Sequence, residues 1–406
     1  MVRQEIRLPV LENMSKIRVL GLSNLFPSSA MPRHGIFLQH RLAHLNALND
    51  VDVRMVAPVP WFPFKHPRFG QYGTFARVPR EETRAGIATV YPRHLVIPKL
   101  GMSMTPALMA RALLPLLRRI RADGFDFELI DSYYMYPDGV AAMALGAALD
   151  RPVLMTAFGT DVNLVPRFAR PRRQLVEAAN RAAGITAVCQ ALADELTRIG
   201  VRGDRLRVVL HGVDLDLFRP PADRAELRTR LGLDGPTLVA VGHMIPRKGF
   251  HLAIEALAQL EGVRLVIAGD GPQEAELRAL AARFGVADRV RMLGHVEQSC
   301  LPDWFGAADA LLLASDREGI ANVLMEAMAC GTPVAATPIW GSPEIVCVPE
   351  AGLLLAERSV GAIVDGVRAL LAAPPDRGAT RRYAERFSWQ ETARQHRALI
   401  GEVLGR

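Results

Sequence analysis

Two doubly wound α/β sheets in one chain, facing each other across a cleft, are the fold that these 406 residues predict. Three observations carry this reading. Short β-branched or leucine-rich runs alternate with helical patterns, the βαβ signature of parallel sheets covered on both faces. The length suits two domains of ordinary size. The alternation also breaks once, around 219–236 (RPPADRAELRTRLGLDGP), into a Pro-Pro pair, a short charged helix and a Gly-Pro turn. The domain boundary is placed there, giving a first domain over 1–218 and a second over 219–388.

The first unit is KIRVLGLSNLFPSSAMPRHGIFLQHRLAHL (16–45). Its strand, Ile17–Leu22, leads through a Pro/Ser loop closed by Gly35 into a helix with Leu38, Leu42 and Leu45 on one face. Asp52–Ala57, Leu129–Asp131, Val153–Thr156 and Ile185–Val188 are further strands. Pro58–Gly70 (PVPWFPFKHPRFG) is too rich in Pro and aromatics for regular structure, and Gly139–Leu149 suits a buried helix. The second series is Thr237–Val241, Val263–Ala268, Val290–Leu293, Ala310–Leu313 and Val334–Ala336. After Pro374-Pro375 a last amphipathic helix runs from about Trp389 to Leu404. In such sheets ligands sit beyond the carboxyl ends of the strands, so chemistry is expected just after each strand.

Composition excludes several classes. The chain is 50% apolar and 22% charged, with 33 Gly and 28 Pro, which is neither collagen-like, disordered nor low-complexity. No apolar run approaches the ~18 residues of a membrane span. The start, MVRQEIRLPVLENMSK, has acids and no apolar core, and is not a signal peptide. Cys189, Cys300, Cys330 and Cys347 have no CxxC spacing and read as reduced core residues of a cytosolic protein. The net charge is +7, yet residues 1–100 hold 14 basic and 6 acidic residues, +8, so the other 306 sum to −1. A basic first quarter suits an anionic lipid surface or nucleic acid. The basic residues are mixed with Pro-rich loop and no nucleic-acid module is present, so nucleic acid is not the expected partner.

The most informative stretch is SDREGIANVLMEAMACGTPV (315–334). Gly319 puts Glu318 in a loop, with a helix from near Ile320 and Glu326 about two turns in. Gly331 and Pro333 end it. A helix N-terminus favours an anion such as a diphosphate. Carboxylates repel that group but accept paired hydrogen bonds from sugar hydroxyls. On the spacing alone, a solvated Glu318 and a helix-surface Glu326 fit equally well.

This stretch resembles the E-x7-E motif of the retaining family 4 glycosyltransferases, whose GT-B fold is two Rossmann-like domains. The resemblance extends over most of the chain, in order. VLHGVDLDLFRP (209–220) resembles the segment closing the family's first domain. LVAVGHMIPRKGFHLAIEAL (238–257) resembles its donor-phosphate loop, RLVIAGDGP (264–272) its G-x-GP turn, and VRMLGHV (290–296) the strand that meets the base. FELIDSYYMYPDG (127–139) and PVLMTAFGTDVN (152–163) are similar to the exopolysaccharide and teichuronic-acid branch.

The resemblance implies roles. Glu326 would hold the donor's ribose. Glu318 would contact the transferred sugar, with the backbone of Gly319, Ile320, Ala321 and Asn322 near the phosphates. Lys248 would neutralise the β-phosphate as it leaves. Gly35 would let the first loop approach the diphosphate, with Gly242, Gly269 and Gly271 in the second-domain donor loops. The backbone at His295 and Val296 would read the base. Glu318, Lys248 and Asp161 are the side chains expected at the reaction centre. One residue count favours Lys248: only Lys16, Lys65, Lys99 and Lys248 are lysines among 49 basic residues. A lysine beside Gly249 suggests a need for a compact point charge, although Arg247-Lys248 also reads as a solvated turn. Two positions depart from the family pattern. His243 follows Gly242 where Arg is common, so that either Arg247 supplies the missing charge or the donor phosphates are held more weakly, and Phe158 stands where the family has His or Arg.

The expected reaction is therefore retaining hexosyl transfer from a UDP- or GDP-linked sugar to a lipid-linked or polysaccharide acceptor. The family's front-face chemistry needs no protein nucleophile, and in the first domain only Asp161 and Asp138 stand out as carboxylates. No DxD motif stands where the fold would need one, which predicts a reaction without metal or further cofactor. The acceptor should dock on the basic first domain. There Pro58–Gly70, Arg77, Arg80, Arg84 and the apolar Met102–Arg121 helix could seat the protein on the inner face of a membrane, or could simply cap the sheet and fill the core. The final helix is expected to cross back onto the first domain. Two other classes share the architecture: a sugar-nucleotide epimerase, and a catalytically weak sugar-nucleotide-binding subunit.

Overall fold

The computed structural model describes residues 16–97 and 101–406. The segment read as lacking a leader, up to residue 15, and Lys99 lie outside them. Among the described residues the first sheet has eight strands. Their spatial order is Leu206–Val208, Gly184–Ala187, Val153–Ala157, Leu129–Tyr133, Ile17–Leu22, Val51–Val56, Ile87–Val90 and Glu81–Arg84. Only the last pair is antiparallel. Strands Leu129–Tyr133 and Val153–Ala157 are buried at every position, as parallel strands between two helical layers should be. The second sheet has six parallel strands, in the order Val290–Gly294, Arg264–Ala268, Thr237–Val241, Ala310–Leu313, Val334–Ala336 and Gly352–Leu354.

Each sheet reverses its winding once. The reversals lie between Ile17–Leu22 and Leu129–Tyr133, and between Thr237–Val241 and Ala310–Leu313. A crevice opens past the strand ends at such a point. The loops leaving those four strands, at 23–35, 134–139, 242–249 and 314–321, border the cleft between the sheets.

Several short elements escape the sequence pattern. Glu81–Arg84 and Ile87–Val90 form a hairpin through Ala85 and Gly86, both at positive φ. Pro58–Gly70 is not wholly irregular. Val59–Pro60 pairs with Arg93–His94, and the turn Pro67–Phe69 leads into helix Gly70–Arg77. The apolar helix runs over Thr105–Ala122, after a turn at Met102–Met104. Its Met109, Leu113 and Leu117 fill the core while Arg111, Arg118 and Arg119 face solvent. The cysteine reading needs correction: Cys189 and Cys330 are buried, but Cys300 and Cys347 are exposed.

Helix Arg224–Leu231 is fastened to the second sheet by Arg224 and Arg228, which reach Asp309 at 2.7 and 3.1 Å. Helix Trp389–Leu404 packs on the first domain's helix Ile36–Asn46 around a buried polar group. Arg41 Nη2 donates to His396 Nδ1 at 3.1 Å, and His396 Nε2 donates to Asp131 Oδ2 at 2.6 Å. The Tyr133 hydroxyl donates to the same carboxylate oxygen. Arg41, His396, Asp131 and Tyr133 are all essentially inaccessible, so among the described residues the counter-charge Arg41 has at hand is the carboxylate behind His396. At the rim, Arg397 pairs with half-exposed Asp50 at 2.7 Å.

The two acids should therefore differ sharply. Asp131→Ala leaves a buried cation without its acid, and should cost roughly 3–5 kcal/mol in urea denaturation. Asp50→Ala should cost no more than about 1 kcal/mol. Equal losses would contradict the role given to the buried group.

Candidate functional site in the interdomain cleft

The loop after Thr237–Val241 ends in the turn Pro246–Lys248, which points two cations at the loop after Ala310–Leu313. There Lys248 Nζ donates to Glu318 Oε1 at 2.6 Å and Ser315 Oγ to the same oxygen at 2.8 Å. Arg247 Nη1 donates to Oε2 at 3.1 Å. The Glu318 side chain is only 12% exposed. Burial works against its charge, but Lys248 and Arg247 outweigh that and hold the carboxyl below its usual range. Arg247 also donates to the Arg317 carbonyl at 2.5 Å. The solvated-glutamate alternative is thereby excluded for Glu318, and the solvated-turn alternative for Lys248.

Helix Asn322–Ala329 starts two residues later than expected, because Ala321 is still extended. Glu326 therefore lies little more than one turn in. It is half-buried, has no ion pair among the described residues, and lies near the Gln298 side chain. Burial pushes its carboxyl up to about 7, with Gln298 acting in the opposite direction. Gly331 closes this helix at positive φ.

A cavity of about 650 Å³ opens beside these groups, lined from both domains. Pro32, Arg33 and Ile36 come from the first, and Gly242, His243, Gly269, Asp270, His295, Val296, Glu297 and Gln298 from the second. Arg33 bridges it, donating to His295 Nδ1 at 2.6 Å and lying 3.5 Å from Asp270. The His295 Nε2–H then donates to Glu297 at 2.8 Å, which fixes the tautomer. His243 is mostly exposed and lies 3.4 Å from Asp270.

Two glycines have a different reason from the one expected. Gly35, at φ 71, caps helix Ile36–Asn46, and a Cβ there would meet the Leu25 carbonyl at 1.9 Å. Its own chain, rather than a ligand, forbids a side chain. At Gly319 a Cβ would lie 1.8 Å from the Phe158 carbonyl, so this glycine lets the first domain close on the loop. Gly271 packs on Met244, away from the cavity.

Asp161 is not placed to react, which corrects its expected role. It is fully buried, and its carboxylate accepts from the backbone N–H groups of Met135, Phe158 and Gly159 at 2.9, 3.2 and 2.8 Å. It shapes the Phe158–Gly159 turn. Asp138 is also buried, with only the Asn24 N–H on its carboxylate among the described residues, and burial raises its carboxyl well above the usual range. Phe158 packs against Phe37, Tyr133 and His211. His211 Nδ1 donates to Asn322 at 2.9 Å across the domains. Burial, then the Arg41 charge, push this imidazole down to about 3, so it stays neutral.

Sequence reasoning missed Arg33, Ser315, Gln298 and His211. Arg33 had a usable signal, as a cation two residues before the helix-capping Gly35. Ser315, three before Glu318 on the same loop, had another. Nothing local marks Gln298 or His211, whose partners are distant in the chain.

Residues 40–217 match the family described as Glycosyltransferase Family 4, and residues 223–387 that described as Glycosyl transferases group 1. A D-inositol 3-phosphate glycosyltransferase of Xylanimonas cellulosilytica is 40% identical over 223 residues, 50% of this chain and 52% of that protein. A GDP-mannose-dependent alpha-(1-6)-phosphatidylinositol monomannoside mannosyltransferase of Mycobacterium tuberculosis is 41% identical over 173 residues, 39% of this chain and 45% of that protein. The chain spans about half the length of these curated relatives. Sucrose-phosphate synthase from Thermosynechococcus elongatus superposes with a TM-score of 0.76 at 22% identity, over 96% of this chain and 100% of that one. Anabaena HepE in complex with UDP gives 0.74 at 21%, over 95% and 100%. These likenesses extend over both domains and identify the fold as GT-B. With one domain matching each of the two paired families inside that fold, the chain belongs to the group 1, family 4 glycosyltransferases.

Proposed function

We propose that this protein is a retaining glycosyltransferase that moves a hexosyl group from a nucleoside diphosphate sugar to a lipid-linked glycan or anionic lipid acceptor. The observation that carries the reading is the clamp on Glu318. An ionised carboxylate is held inside the cleft by two cations and a hydroxyl, beside a cavity large enough for a nucleotide.

Each part has a use in that reaction. The base and ribose occupy the cavity, with the backbone at His295 and Val296 against the base and Glu326 on the ribose hydroxyls. The diphosphate lies over Gly242 and the amides from Gly319 to Asn322. Lys248 and Arg247, now turned to Glu318, supply the positive charge that a departing diphosphate requires. Glu318 then accepts from hydroxyls of the transferred sugar. The leaving phosphate takes the acceptor's proton, and no metal or further cofactor enters the scheme. The names of the inositol-phosphate and phosphatidylinositol relatives favour an acceptor carrying negative charge.

The first domain offers a seat for such an acceptor. Among the described residues all eight exposed large apolar side chains belong to it, including Trp61, Phe64, Met102, Met104 and Phe168. Arg68, Arg77, Arg118 and Arg119 are exposed on the same domain. We infer peripheral binding to an anionic bilayer through this surface. No helix among the described residues is long and apolar enough to cross a membrane.

Three outcomes follow. A thermal-shift screen of UDP- and GDP-sugars should find one stabilising donor, hydrolysed slowly in EDTA, with Glu318→Ala lowering the rate at least a hundredfold. Hydrolysis that requires Mg²⁺ or Mn²⁺, or that survives the substitution, would sink the scheme. Glu326 supplies a pH signature. Its folded value near 7 lies above the unfolded value of about 4.3. Stability is therefore intact below the unfolded value, falls as pH rises towards 7, and stays reduced above. Glu326→Gln should raise stability at pH 8 by something on the order of 1–3 kcal/mol, and not at pH 4, while weakening nucleotide binding. A destabilised variant at pH 8 would refute this. Finally, co-sedimentation with anionic vesicles should fall on Trp61→Ala with Phe64→Ala. Binding that is indifferent to lipid charge would count against the membrane surface.

A further inference from the structure

One acid joins the two domains without a part in the scheme above. Glu344 lies in the short helix Ser342–Ile345 of the second domain and is half-buried. Its Oε2 accepts from the Gln190 N–H at 2.7 Å and its Oε1 from the Ala191 N–H at 3.0 Å. Those amides open the first-domain helix Gln190–Arg198, whose own N-cap residue, Cys189, supplies no side-chain acceptor. The first turn of a helix has orphan N–H groups and a partial positive charge, so a carboxylate from the other domain completes it.

The same contact reaches the donor loop. Gly341, three residues before Glu344, donates its N–H to the Gly319 carbonyl at 3.1 Å. Cys189 Sγ lies 3.5 Å from that carbonyl, from the first-domain side. Gly319 is the neighbour of Glu318, and the Phe158–Gly159 turn packs directly on it. The segment that carries Glu344 and the loop that carries Glu318 are thus pinned to one another and to the same helix start.

We propose that Glu344 is the positioning residue that docks the first domain against the donor loop. It caps helix Gln190–Arg198 across the domain boundary, which holds Gly319, and through it Glu318, in register with the first domain. The carboxylate touches no substrate; its effect is on how the two domains meet. Only the choice of ligand rests on the function proposed above, since the docking is a property of the chain itself.

The test uses the full chain with Glu344→Ala and Glu344→Gln, compared by small-angle scattering without ligand, by circular dichroism, and by titration with UDP and with GDP. Glu344→Ala should scatter as a more open particle with unchanged helix content. It should bind the preferred nucleotide roughly 2- to 30-fold more weakly, the range of a lost helix cap. Glu344→Gln keeps an acceptor oxygen for one of the two amides, turns an NH2 donor to the other and loses the charge, and should fall between. If Glu344→Ala cannot be purified, Glu344→Gln carries the same comparison. A scattering curve identical to that of the unsubstituted protein would overturn the docking role. If the unsubstituted protein binds neither UDP nor GDP, the proposed function fails, and the scattering comparison still decides the role of Glu344.

Discussion

Glu318 keeps its negative charge inside a narrow cleft because Lys248 and Arg247 stand against it, and the rest of the molecule is arranged to bring those three together. They come from two loops, one on each side of the second sheet's reversal. A buried carboxylate with one cation removed would be a large liability. The pairing is therefore stable only while the sheet fixes both strand ends, and it can be exchanged for a pairing with an anionic ligand of the right shape.

That arrangement explains why the site residues are not uniformly stabilising. Glu326 has no cation beside it among the described residues, and its burial raises its proton affinity. Asp161 is a contrast: equally an acid and deeper still, it is used entirely by backbone amides and shapes a turn. The two roles are distinguished by what the carboxylate oxygens touch, not by burial. The C-terminal helix adds a third kind of polar burial, since Arg41, His396 and Asp131 tie the end of the chain to the domain where it began.

Much of this was legible in the sequence where the signal was local. Strands Ile17–Leu22, Thr237–Val241, Ala310–Leu313 and Val334–Ala336 follow from short apolar runs bounded by Gly or polar residues, and their ends match the structure. Glu81–Arg84 was missed because an exposed edge strand of polar residues has no apolar pattern to show. At the site, Glu318 and Lys248 stood out through residue type and neighbouring glycines. Asp161 was misjudged because sequence shows an acid but not the amides folded around it. Gly319 was assigned to a phosphate, while its steric need comes from the Phe158 carbonyl in the other domain. Arg33, His211 and Glu344 act on partners more than a hundred residues away, a relation that no local spacing encodes.

In the proposed scheme Lys248 leaves Glu318 for the donor's diphosphate. A crystal structure of the protein with its preferred nucleoside diphosphate tests this most directly. The base should then lie in the cavity beside His295 and Val296, and the β-phosphate about 3 Å from Lys248 Nζ, the length of a charge-assisted hydrogen bond. A nucleotide bound elsewhere, for example in the groove beside Arg219 and Arg230, with the Lys248–Glu318 pair unchanged, would contradict it.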